Sequence, residues 1–106
     1  MAAIGTTTVL TYPCGTTYCG EVVDGLPQGQ GNLCLPTGVV CTGSFCDGEA
    51  HGLASQVMPN GDVYTGEFKR GRRYGDGTFT FATGATVRGT WVDGVFWKVR
   101  SQTNKY

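Results

Sequence analysis

The sequence predicts an all-β protein, an elongated antiparallel β-meander solenoid of about four 23-residue hairpin repeats. Three observations carry that prediction. Glycines recur every 23 residues: Gly15, Gly38, Gly61 and Gly84 share one register, Gly20, Gly43, Gly66 and Gly89 a second, and Gly25, Gly48, Gly71 and Gly94 a third. Between them, apolar and polar residues alternate with a period of two, which is the spacing of strands and not of helices. Asp-Gly, the dipeptide that best supplies the positive φ angles of a tight hairpin, stands at Asp24-Gly25, Asp47-Gly48 and Asp93-Gly94, with Arg70-Gly71 in the remaining copy. Two weaker registers hold Gly29, Gly52 and Gly75, then Gly31 and Gly77 with Ala54 between them. Of the 18 glycines only Gly5 falls outside the grid, so the glycine content is positional and not that of a flexible linker.

Taken in order, residues 1–6 carry no pattern and are expected to be frayed. A half-repeat over 7–13 follows, whose run Thr7 to Tyr12 reads as a first strand stopped by Pro13. Full repeats are expected at about 14–36, 37–59, 60–82 and 83–103, and residues 104–106 form a tail. The first strand of each repeat places Tyr18, Gly20 and Val22, or Cys41, Gly43 and Phe45, or Tyr64, Gly66 and Phe68, or Val87, Gly89 and Trp91, on one face. The opposite face is mostly polar, the pattern of a half-exposed antiparallel sheet. After the Asp-Gly turn a second strand returns with Leu33 and Leu35, Gln56 and Met58, or Phe79 and Phe81 on one face, and Pro36-Thr37-Gly38 and its equivalents reverse the chain again. About nine strands result, with helix essentially absent. The last repeat departs from the pattern, with Lys98 and Arg100 where Gly75 and Gly77 stand, as a capping unit does.

A glycine in mid-strand costs about 0.5–1 kcal/mol, so Gly20, Gly43, Gly66 and Gly89 call for a steric reason. An absent side chain leaves a slot against the backbone, and a ring from the adjacent repeat is expected to fill it.

Zero net charge conceals a division along the chain. Residues 1–53 carry only Glu21, Asp24, Asp47 and Glu49, whereas residues 54–106 hold all eight basic residues against four acidic ones. A linear stack would have an acidic and a basic end, a device for self-association or for a fixed neighbour at each end. The densest cluster is Lys69, Arg70, Arg72 and Arg73, expected at a hairpin tip and suited to an acidic protein surface or, weakly, to anionic lipid. Nucleic acid is not an expected partner, because the chain is neutral and Tyr74 alone interleaves the cluster. A single sheet cannot bury Tyr18, Phe45, Tyr64, Phe68, Phe79, Phe81 and Trp91 all at once unless it curls. Those seven are the expected partner groove.

Reactive residues read as structural. Five cysteines without a signal peptide fit reduced thiols and a cytoplasmic default. Cys14 and Cys19, and Cys41 and Cys46, have zinc-like spacing, but alternation sends Cys41 to the face opposite Cys19 and Cys46, so no metal is expected. His51 shares an aromatic register with Tyr74 and Trp97 and has no nucleophile and orienting group beside it. Catalytic residues and cofactors are therefore not expected.

The unit Tyr-x-Gly-Glu-x-x-x-Gly-x-x-x-Gly-x-Gly, clearest at Tyr64 to Gly77 and nearly complete at Tyr18 to Gly31, resembles the MORN (membrane occupation and recognition nexus) repeat. The likeness covers about residues 8–97. The second copy departs from it at Cys41, Ser44 and Ala54, and the fourth has Val87 for the tyrosine and lacks both final glycines. The resemblance implies a non-enzymatic scaffold, a subunit or adaptor of a cytoskeletal or of a ciliary or flagellar assembly, whose aromatic groove takes a partner segment. It implies as the alternative a peripheral membrane adaptor that holds anionic phospholipid, phosphoinositides included, through the basic C-terminal half.

Overall fold

A computed structural model of the chain describes residues 7–103. The segments expected to be a frayed start, 1–6, and a tail, 104–106, lie outside the described residues. Nine strands follow one another: β1 (Thr8–Thr11), β2 (Thr17–Val23), β3 (Leu26–Cys34), β4 (Val40–Cys46), β5 (Glu49–Val57), β6 (Val63–Lys69), β7 (Arg72–Thr80), β8 (Thr86–Val92) and β9 (Val95–Thr103). They form one antiparallel sheet in sequence order, and no helix occurs among the described residues. The molecule measures 45 × 27 × 24 Å. Eight inter-strand gaps of about 4.8 Å account for most of the long axis. The last repeat, though its sequence departs from the pattern, completes a full strand, β9.

Two kinds of turn produce the meander. At one side of the sheet two-residue loops join the hairpins, and both residues take positive φ, as at Asp24 (52°) and Gly25 (77°). This is type I′ geometry, whose twist matches that of the strands it joins. At the other side three-residue loops end in a glycine whose amide closes the turn, as where Gly38 N donates to the Leu35 carbonyl at 2.9 Å. The tips are also tied to each other. Gly48 N donates to the Pro27 carbonyl, Gly71 N to that of Ala50 and Gly94 N to that of Arg73, at 2.8–2.9 Å, so each hairpin tip after the first is bonded to the repeat before it.

The repeat motif becomes intelligible at its tyrosine. In the first three repeats the ladder shifts register just after the mid-strand glycine, between Gly20 and Val22, Gly43 and Phe45, and Gly66 and Phe68. The residue in the shift, Glu67 in the third repeat, is displaced, and the Tyr64 hydroxyl donates to its carbonyl at 2.9 Å; Tyr18 does the same for Glu21 at 2.7 Å. To reach that carbonyl the Tyr64 ring must pass over Gly77, where any Cβ would collide with its hydroxyl and ring edge, and Tyr18 lies likewise across Gly31. Gly66 is needed for a different reason: a Cβ there would sit 2.6 Å from Gly77 Cα, closer than two strands can tolerate. The slot is thus filled by the tyrosine of the same repeat, not by a ring of the adjacent one as expected. The adjacent repeat supplies the next layer, Phe45 against Tyr18 (centroids 5.2 Å) and Trp91 against Tyr64 (4.9 Å), both edge-to-face.

Departures from the motif follow the same logic. With Cys41 for tyrosine, the second repeat has no ring to accommodate, and Ala54 stands where Gly31 and Gly77 do. In the fourth, Phe96 from β9 comes over Gly89 and takes the space that Val87 leaves open.

Arg70 is the odd residue at the tips. It holds φ 52° where the other three tips have aspartate, a residue better suited to the left-handed region. Arg70→Asn is therefore expected to raise stability by about 0.5 kcal/mol, in line with the few tenths to 1 kcal/mol that compatible backbone changes yield. Urea unfolding checks this, and no change or a loss would show the tip to be unstrained.

Candidate functional site

The seven aromatic residues expected to form a groove divide in two. Tyr18, Phe45, Tyr64, Phe68 and Trp91 are buried, and together with Cys41, Ala50 and Ala54 they are the core of the curled sheet, so they are not a partner surface. Curling hides them because each tyrosine is clamped between a glycine strand beneath and a neighbour's ring beside it. Phe79 is half-buried and Phe81 is 41% exposed. These two remain accessible, and the structure adds residues that alternation did not single out.

Phe79 and Phe81 pack at 4.9 Å and line an open recess of about 300 Å³ with Arg73, Val87, Trp91 and Phe96. Phe96, 42% exposed, packs its ring on Trp91 at 4.9 Å. Arg73 belongs to this recess and not to the hairpin tip where the basic cluster was expected. It is half-buried, with its guanidinium 4.9 Å from the Tyr64 ring centroid and 5.4 Å from that of Phe79. Its Nε and Nη2 donate to Gln56 Oε1 at 3.0 and 2.8 Å. Burial pushes the Arg73 pKa down, with the Tyr64 hydroxyl acting in the opposite direction. A signal for this was present in the repeat register: Arg73 aligns with Pro27, Ala50 and Phe96, so it is a polar residue at an otherwise apolar position, while Gln56 aligns with Leu33, Phe79 and Gln102.

The other three cations of the cluster stay at the tip. Lys69, Arg70 and Arg72 are exposed at the β6–β7 tip, bordering a second recess with Glu49, Tyr74 and Asp93, and Lys69 Nζ lies 4.8 Å from the Tyr74 ring centroid. His51, expected to pack in an aromatic register, is exposed and accepts a bond of 3.4 Å from Arg70 N at Nδ1, while Trp97 in the same register is 69% exposed. Cys41 is buried, Cys46 half-buried, and Cys14, Cys19 and Cys34 are exposed free thiols. Among the described residues no three histidine, cysteine or carboxylate groups come together as metal ligands.

With this geometry in hand, comparison with known families is decisive. The MORN repeat model matches residues 18–40, 41–63 and 64–86, three consecutive 23-residue units. The chain belongs to the MORN repeat family. The matched units each begin at the tyrosine register, Tyr18, Cys41 and Tyr64, and the fourth unit, beginning at Val87, lies outside the match. A search of curated proteins returned no match. MORN repeats are interaction modules for protein or membrane, so this chain is read as a MORN module whose surfaces carry its function.

Burial of Tyr64 has a measurable consequence. Its hydroxyl pKa is pushed up to about 12, chiefly by burial and against the opposing charge of Arg73. An unfolded tyrosine titrates near 10. The native state thus favours the protonated hydroxyl, and stability that is complete below about pH 10 is lost as pH rises toward 12. Tyr18 and Cys41 are shifted upward too, so the expected fall in melting temperature above pH 10 should be shallower, not absent, in Tyr64→Phe. Equal slopes in the two proteins would remove Tyr64 as a contributor.

Proposed function

We propose that this MORN array is a non-enzymatic scaffold that holds a segment of a partner polypeptide on its aromatic face, in the recess between Phe81 and Phe96. The observation that carries this reading is the exposure of those two rings beside half-buried Phe79, on the face where Tyr18, Phe45, Tyr64, Phe68 and Trp91 are core. Large apolar side chains held open by a rigid sheet are anchors for a partner's side chain. Family resemblance adds the setting, a subunit or adaptor in a cytoskeletal, ciliary or flagellar assembly of the cytoplasm, which co-sedimentation with microtubules and actin filaments examines directly. No group on this face combines a nucleophile with a base and an orienting partner, which favours contact over catalysis.

A second reading has its own observation. Lys69, Arg70 and Arg72 stay exposed together and, among the described residues, none of them is in an ion pair. Such a cluster contributes about 1 kcal/mol per residue at an anionic membrane. Glu49 and Asp93 border the same recess and reduce its net charge. Liposome co-sedimentation with and without acidic lipid, at two salt concentrations, distinguishes this reading from the first.

For the main reading, a phage-displayed peptide library selected against the wild-type chain should yield peptides whose affinity falls about tenfold on Phe81→Ala, the size of one lost anchor contact. Phe81 is accessible, so the melting temperature should move little. A lowered melting temperature with unchanged peptide affinity would reject the recess as the binding surface.

A further inference from the structure

We propose that the aromatic recess selects a partner segment in which a carboxylate, from aspartate or glutamate, stands beside a large apolar side chain, and that Arg73 is the residue that reads the carboxylate. This rests on the partner-segment reading of the recess and specifies its chemistry.

The fold does not require a cation at position 73. In the other three repeats the same register holds Pro27, Ala50 and Phe96, and the first two are buried. Gln56, on β5 and so one strand beyond β6 from Arg73, stands in a register that holds Leu33, Phe79 and Gln102 elsewhere, and it reaches Arg73 across β6. A cation inserted at an otherwise apolar position costs desolvation, and local rules are broken in this way chiefly where a site is built.

The guanidinium is positioned but not neutralised. Gln56 Oε1 accepts from Nε and Nη2, fixing the plane of the group, and the Tyr64 and Phe79 rings flank it. Among the described residues no carboxylate lies within ion-pair distance of Arg73, where the pair formed is Arg100 with Asp76 at 2.9 Å, and Nη1 has no acceptor. A half-buried cation with a free N–H pair, held rigid at the wall of an apolar recess, complements an anion attached to an apolar group. The recess of about 300 Å³ has room for one large side chain. A carboxylate fits better than a phosphate, since no second cation lines the recess to balance a doubly charged group.

The test uses the whole chain and two small probes of one shape, 2-naphthylacetate and its neutral amide, titrated at neutral pH and followed by the amide and arginine Nε signals in NMR. The acid is expected to bind about tenfold more tightly than the amide, the magnitude of one charge-assisted hydrogen bond. It should shift the Arg73 Nε signal with those of Phe79, Phe81 and Val87, and Arg73→Met should abolish the preference while keeping amide binding. If that variant does not fold, the ratio of acid to amide on the wild-type chain decides alone. Equal binding of both probes in the recess would overturn the role of Arg73 and leave the partner recess standing. Binding of neither probe there would overturn both.

Discussion

Everything in this array depends on a tyrosine ring laid across a glycine in the neighbouring strand. The ring can pass over only where the strand has no Cβ, and its hydroxyl then reaches the carbonyl of the residue displaced from the ladder, Glu67 for Tyr64 and Glu21 for Tyr18. One side chain thereby satisfies a backbone acceptor near the irregularity, seals the sheet on that face, and offers its edge or face to the next repeat. The buried hydroxyl bond is worth about 1 kcal/mol as made, and more is lost if the acceptor is left without a partner. Phe45 and Trp91 transmit this arrangement from repeat to repeat through edge-to-face contacts at 5.2 and 4.9 Å. A single layer of sheet, which ordinarily needs a second layer to cover its apolar face, thus covers itself.

Much of this was legible in the sequence, because the period of 23 fixes which residues share a register. The Asp-Gly tips, the number of strands, their order and the apolar face of each first strand are local or nearest-neighbour features, and alternation reports them directly. What alternation cannot report is the depth of a residue on its face. Tyr64 and Phe81 read alike as aromatic residues on one side of a strand, yet Tyr64 is wholly buried and Phe81 is open. Curl and the register shift after Gly66 separate them, and neither has a sequence period of its own. Arg73 is close in sequence to Lys69, Arg70 and Arg72, although its register sets it among Pro27, Ala50 and Phe96. The register outweighs the cluster: a residue two positions past the turn points to the sheet face and not to the tip.

The same framework shows where function is free to vary. Positions that clamp tyrosine to glycine are held by geometry, as is Phe96 over Gly89, whereas Phe79 and Phe81 at the outer rim of the face bear no comparable constraint and still carry large rings. Large open rings therefore collect at the third and fourth repeats, where Arg73 supplies polarity at a position that the fold accepts as apolar in the other units. The first two repeats carry small side chains, Pro27 and Ala50, at the corresponding places.

Repeat 2 provides the most direct measurement, since it lacks both halves of the clamp. Cys41→Tyr and Ala54→Gly, made singly and together and followed by urea unfolding, form a double-mutant cycle at that register. If ring and glycine depend on each other, Cys41→Tyr alone destabilises, and Ala54→Gly rescues it with a coupling of about 1 kcal/mol or more, within the range of contacting pairs. Additivity to within about 0.3 kcal/mol, as for sites that do not touch, would contradict the dependence on which the rest of the structure is built.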